Sequence, residues 1–174
     1  MRVPVYIYFF FNFLFKNLLT LYFVNRCYMK NKIAIFTGAF NTPTGFLIAL
    51  ATRCQFVHAS VCIDGEWWHS SEKLGCFGKV DIDGYANRDC VVFEFEGDLT
   101  EWLEQMKPTK YDWRGVFGWL LRLNNPTKFY CFEAAQSALL HTGAVRVPIE
   151  SLSGCDLRRM ATGSIQYGLF KDIK

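Results

Sequence analysis

The segment QFVHASVCIDGEWWHSS, residues 55–71, constrains the fold more tightly than any other stretch of the chain. Two runs of aromatic and β-branched residues flank Asp64-Gly65, the dipeptide preferred at the centre of a two-residue type I′ hairpin turn. Such a turn fixes the pairing register. If Ile63 faces Glu66, then Ser60 faces His69 and His58 faces Ser71, because the partner numbers sum to a constant. Side chains alternate along each strand. His58, Ser60, Cys62, Trp67, His69 and Ser71 therefore share one face, and Val57, Ala59, Val61, Ile63 and Trp68 share the other. His58 and His69 become diagonal neighbours, with Cα atoms about 7 to 8 Å apart.

A second informative stretch is KFYCFEAAQSALL, residues 128–140. Phe129 and Tyr130 read as extended chain. After Cys131, the residues Ala134, Ala135, Ala138 and Leu139 recur at helical spacing. Cys131 thus stands at, or one step before, a helix N-terminus, where free backbone N–H groups and the positive end of the helix dipole favour a thiolate. That is the setting of a nucleophile. A small buried hydrophobe is the alternative reading of the same cysteine. Likewise, a histidine on a strand is either a structural residue or the base that takes a thiol proton.

The rest of the chain reads as mixed α and β. KIAIFTG forms a first strand ending at Gly38, NTPTG a turn, and FLIALATR a short apolar helix. VVFEFEGD reads as a strand and LTEWLEQM as a helix introduced by Thr100 and ended before Pro108. Asp112 is a plausible N-cap for a helix carrying Val116, Phe117, Leu120 and Leu121. Beyond Pro148, a turn over Ser153–Asp156 leads into a small closing helix. Neither internal repeats nor low-complexity linkers interrupt this pattern, so residues 29–174 read as one domain.

Composition excludes several classes of function. With 174 residues, 20% of them charged and 17% aromatic, the chain has the makings of a packed core rather than of a disordered segment. The net charge of +3 is not concentrated in any Lys/Arg run, which argues against nucleic acid as a partner. The cysteines at 27, 54, 62, 76, 90, 131 and 155 form no CxxC pair, and their number is odd. A reducing compartment is the simpler expectation, cytoplasmic or at a membrane, with no metal site and no cofactor.

Residues 1–28 are an apolar leader. Val3–Asn25 is long enough to span a bilayer, which takes roughly 20 mostly apolar residues, but it is interrupted by Asn12, Lys16 and Asn17, and Lys16 near its centre costs about 3 kcal/mol on insertion scales. It has no small-residue cleavage site of the kind that ends a secretory signal. Three readings remain open: a membrane anchor, a poorly ordered leader, or an upstream extension preceding a functional start at Met29.

The order of FVHASVCIDGEWWHSS, YDWRG and FYCFEAAQSALLHTG resembles the circularly permuted branch of the NlpC-type papain-like superfamily, which includes bacterial YiiX-like proteins and phage-encoded relatives. In that branch a histidine motif with an apolar strand and a D-G turn precedes a cysteine motif, C-S-E-L. The resemblance covers roughly residues 30–160. It implies an α+β, papain-like fold in which an antiparallel sheet packs against the helix carrying the nucleophile.

Carried over by motif, Cys131 matches the nucleophile and His58 the general base. His69 is the preferred third residue, because it resembles the second histidine of the related lecithin:retinol acyltransferase group. Ser60 and Ser71 are the fallbacks, and Tyr111 resembles a tyrosine that lies near the nucleophile in the wider superfamily. Two departures stand out. The cysteine motif reads C-F-E, with Phe132 in place of a small hydroxyl residue, and the histidine motif reads H-A-S, without the carboxylate that many relatives carry.

The resemblance implies a thiol hydrolase, an amidase or peptidase acting through an acyl-enzyme on a peptide-like or acyl substrate such as a cell-wall peptide. A lipid-acting thiol acyltransferase or esterase, and a catalytically inactive domain with a binding role, are the competing expectations.

Overall fold

The computed structural model of the protein describes residues 30–38, 43–112, 128–149, 152–161 and 165–172. The leader 1–28 and the helix expected after Asp112 lie outside the described residues. Eight strands form one sheet: β1 (Lys30–Thr37), β2 (Phe56–Ile63), β3 (Glu66–Ser71), β4 (Cys76–Lys79), β5 (Asp89–Glu96), β6 (Lys110–Tyr111), β7 (Lys128–Phe129) and β8 (Ile165–Leu169). Their spatial order is β7-β6-β4-β3-β2-β1-β5-β8. Every pairing is antiparallel except that of β6 with β7. Five helices are described: α1 (Pro43–Thr52), α2 (Ile82–Tyr85), α3 (Thr100–Met106), α4 (Cys131–His141) and α5 (Gly154–Arg159). The architecture is mixed α+β.

The expected hairpin forms, in the expected register over the three pairs next to the turn, but the expected pairings of Ser60 with His69 and of His58 with Ser71 do not form. Asp64 and Gly65 both take positive φ, 51° and 81°, as a type I′ turn requires. Ile63 pairs with Glu66, Cys62 with Trp67 and Val61 with Trp68. Those three pairs make up the β2–β3 ladder. Beyond Trp68 the outer side of β3 runs against β4, up to Ser71 opposite Cys76. On its other side β2 pairs with β1 as far as Phe56. The gap between β2 and β3 at the His58 end is where the site forms.

Alternation along the strands sorts the side chains into two apolar layers. Ile33, Ile35, Ala59, Val61, Ile63, Trp68, Val91 and Phe93 face α3, α4 and α5 in the main core, where they meet Trp102, Phe132, Ala135, Leu139 and Leu157. On the reverse face Ala34, Phe36, Cys90, Val92 and Phe170 form a smaller cluster, flanked by Trp67 and Tyr85. Burial of each Leu or Phe in the main core contributes roughly 1.5 to 3 kcal/mol. The helix α4 is kept close to the sheet by Ala134, Ala135 and Ala138, all essentially inaccessible, since small side chains permit a close approach.

The ends of these helices are set by local chemistry. Asp98 Oδ1 accepts from the Thr100 N–H at the start of α3. Ser153 caps α5, its Oγ accepting from the Asp156 N–H while Asp156 accepts from the Ser153 N–H, a capping box. Gln136 of α4 holds the following loop through two bonds to the Ile149 backbone.

The structure contains a covalent link that cysteine spacing did not anticipate. Cys54 and Cys155 form a disulfide that joins the segment after α1 to α5, across a sequence separation of 101. This is at odds with the reducing compartment inferred from cysteine spacing. The two cysteines pair because β2 and α5 pack together, a proximity that linear spacing does not encode. Cys62, Cys76, Cys90 and Cys131 are free thiols. Among the described residues, no helix is long and apolar enough to cross a membrane.

Candidate functional site

A cavity of about 110 Å³ opens where β2 and β3 part. Val57 and His58 of β2, Ser70 and Ser71 of β3, Glu72, Tyr85, Arg88, Tyr111 and Cys131 line it, and Gly45 and Ile48 of α1 border it. His58 and Cys131 therefore reach one space despite their distance along the chain.

They reach it from opposite faces of the sheet. His58 belongs to the reverse face, its ring 5.9 Å from Phe36 and stacked on Tyr85 at 5.4 Å. Cys131 belongs to the main core at the first turn of α4. Since the ladder between β2 and β3 has ended, the opening passes between the strands and both side chains border it. Among the described residues no hydrogen bond joins His58 to Cys131.

Of the residues expected from sequence, His69 is the one in direct contact with His58. Nε2 of His58 lies 2.7 Å from Nδ1 of His69, with the rings at 80° to one another. The hairpin register puts both residues on one face, and their side chains make the contact beyond the end of the β2–β3 ladder. Burial pushes His69 down to about 4, and burial, then the charges of His69 and Arg88, hold His58 well below its usual value. At neutral pH both rings are uncharged. One nitrogen donates and the other accepts.

Ser71 and Tyr111 also border the cavity. Ser60 does not line it: its Oγ is buried on the strand beside His58 and makes no hydrogen bond. Tyr111 is held by the parallel pairing of β6 with β7, opposite Phe129, and burial pushes its phenol far above the usual range. Ser70 Oγ donates to the Phe129 carbonyl, which ties β3 to the strand that leads into Cys131.

Cys131 begins α4 as expected, after Tyr130 in extended conformation. Glu133 Oε2 accepts from the Tyr130 N–H at 3.2 Å, while the Tyr130 hydroxyl donates to Leu152 O at 2.8 Å. The thiol departs from expectation. Burial pushes Cys131 up to about 12, outweighing the backbone amides of Ala59, Phe132 and Cys131 itself, which favour the thiolate. The resting group is a thiol. Desolvation of a residue that is 3% exposed exceeds what the helix terminus supplies. Burial also raises Glu133 to about 7.

Sequence reasoning missed Glu72, Tyr85 and Arg88. Tyr85 ends a four-residue helix, and Arg88 sits over its ring at 4.6 Å, just before β5. Neither belongs to a pattern that periodicity could have picked out. Among the described residues, no cluster of three or more His, Cys, Asp or Glu side chains is placed to hold a metal ion. Comparison with family models, with curated proteins and with solved structures returned no match.

Proposed function

We propose that the protein is a papain-like thiol hydrolase that cleaves an amide or ester bond through an acyl-enzyme on Cys131. The observation that carries this reading is the shared cavity. A cysteine at the start of a helix and an imidazole held by a second imidazole border the same space. His58 is the base, and His69 fixes its tautomer and ring orientation. The backbone N–H groups of Cys131 and Phe132, in the first turn of α4, are suited to an oxyanion.

Because the resting thiol and both imidazoles are neutral, proton transfer from Cys131 to His58 accompanies attack on the carbonyl rather than preceding it. The thiolate adds to the carbonyl carbon, the leaving amine or alcohol takes the proton from His58, and water releases the acyl group. Cell-wall peptides are the substrate class implied by the resemblance.

A second reading, a binding domain without catalysis, draws on the buried thiol at about 12 and its lack of a hydrogen bond to His58. Release of free amine from a peptide library separates the two. Hydrolysis by the wild type that is abolished in both Cys131→Ala and His58→Ala supports the hydrolase. Absence of release from any peptide or ester by a folded wild-type protein leaves the binding domain.

A further inference from the structure

Two opposite charges border the cavity, and among the described residues neither has an ion-pair partner. Glu72 follows β3 and enters the turn to Gly75; one of its carboxylate oxygens is buried and makes no hydrogen bond. Arg88 precedes β5. Its guanidinium rests on Tyr85 and, among the described residues, pairs with no carboxylate. Nor do the two charges pair with each other.

Charges held at a half-buried surface give up part of their hydration, and an unpartnered carboxylate oxygen costs more than an unpartnered apolar atom. The arrangement persists at little net cost if a ligand completes it. Tyr85, which lines the cavity with them, feels the charge of both. Its phenol, raised chiefly by burial, is also lowered by Arg88 and raised by both Cys131 and Glu72.

We propose that the cavity binds a small dipolar ligand carrying an ammonium and a carboxylate, Glu72 receiving the ammonium and Arg88 the carboxylate. Arg88 suits a carboxylate because its planar fork can present two parallel N–H donors. The cavity, at about 110 Å³, has room for a group the size of an amino acid or the backbone of a dipeptide. The inference deepens the hydrolase reading and rests on it only in placing the ligand's carbonyl beside Cys131. It narrows the substrate from any peptide-like amide to short peptides with free termini.

Binding is measured by calorimetry on the full chain carrying Cys131→Ala, so that no turnover intervenes. The probes are glycylglycine, N-acetylglycylglycine, which lacks the ammonium, and glycylglycinamide, which lacks the carboxylate. Glycylglycine is expected to bind, and each capped compound to bind about tenfold more weakly or worse, as in a site whose polar groups are left unpaired. Adding Arg88→Gln should erase the penalty on the amide, and adding Glu72→Gln the penalty on the acetyl compound.

Equal binding of all three compounds, or binding of none, overturns the proposal without recourse to any charge variant. The two readings fail separately. The expected binding pattern without glycine release by the wild type retains the dipolar site and removes the hydrolase. Release of glycine from all three compounds at equal rates does the reverse.

Discussion

His58 Nε2 and His69 Nδ1 stand 2.7 Å apart, two imidazoles sharing one proton between adjacent strands. Both are depressed, His69 to about 4, so the folded protein binds fewer protons than the unfolded chain as pH falls below about 6.5. Their contribution to stability is complete above about 6.5 and is lost as pH falls toward 4, at up to about 1.4 kcal/mol per pH unit for each group. Glu133 works in the opposite direction. Raised from 4.5 to about 7, it contributes stability that is complete below 4.5 and lost as pH rises to 7. Over the shared window the slopes partly cancel. Urea midpoints measured from pH 4 to 7.5 should rise more steeply with pH in Glu133→Gln than in the wild type, and less steeply in His69→Gln. Parallel profiles for the three proteins would contradict this assignment.

The Cys54–Cys155 disulfide closes a loop of about a hundred residues. Restricting the unfolded chain over that length stabilises the fold by roughly 3 to 5 kcal/mol. Thermal unfolding with and without a phosphine reductant should show a clear drop in midpoint for the wild type, and Cys54→Ser should match the reduced protein in either condition. A midpoint unaffected by reductant would mean that the bond contributes nothing in solution.

Gly154, the first residue of α5, carries a packing constraint. A Cβ there would lie 2.5 Å from Phe56 Cβ and within 3.0 Å of the Phe132 ring. Phe132 is the residue that replaces the small hydroxyl of the C-S-E motif, and its ring fills the space between α4, α5 and β2. Gly154→Ala should therefore cost about 1 to 3 kcal/mol by overpacking. Combining it with Phe132→Leu should recover part of that loss, a coupling that a double-mutant cycle in urea reads directly.

The hairpin was legible because its turn demands positive φ at two residues and its register then follows by counting. The small closing helix was legible, but the turn read over Ser153–Asp156 is its first turn: Ser153 is the cap, and its hydroxyl and Asp156 satisfy N–H groups that a helix start leaves open. The short strands β4, β6, β7 and β8 were not. Two to five residues are too few for a period to register, and each is held in place by a neighbour distant in the sequence.

The candidate site divides in the same way. The register put His58 and His69 on one face, but their contact is made by the side chains beyond the end of the β2–β3 ladder, whereas Arg88 and Glu72 reach the cavity through the ends of β5 and β3, where no local pattern marks them. The state of the Cys131 thiol turns on depth of burial. Helix position favoured a thiolate, but desolvation at 3% exposure reverses that preference.

The most direct test of the central claim, that Cys131 and His58 act together across one cavity, is the rate of acetylation by p-nitrophenyl acetate at pH 7.5, with the modified residue identified by mass spectrometry. The account predicts an acetyl group on Cys131 in the wild type, formed about a hundredfold or more slowly in His58→Ala as a general base is removed. An acetyl group that forms on Cys131 equally fast without His58, or that never forms on Cys131 at all, would contradict it.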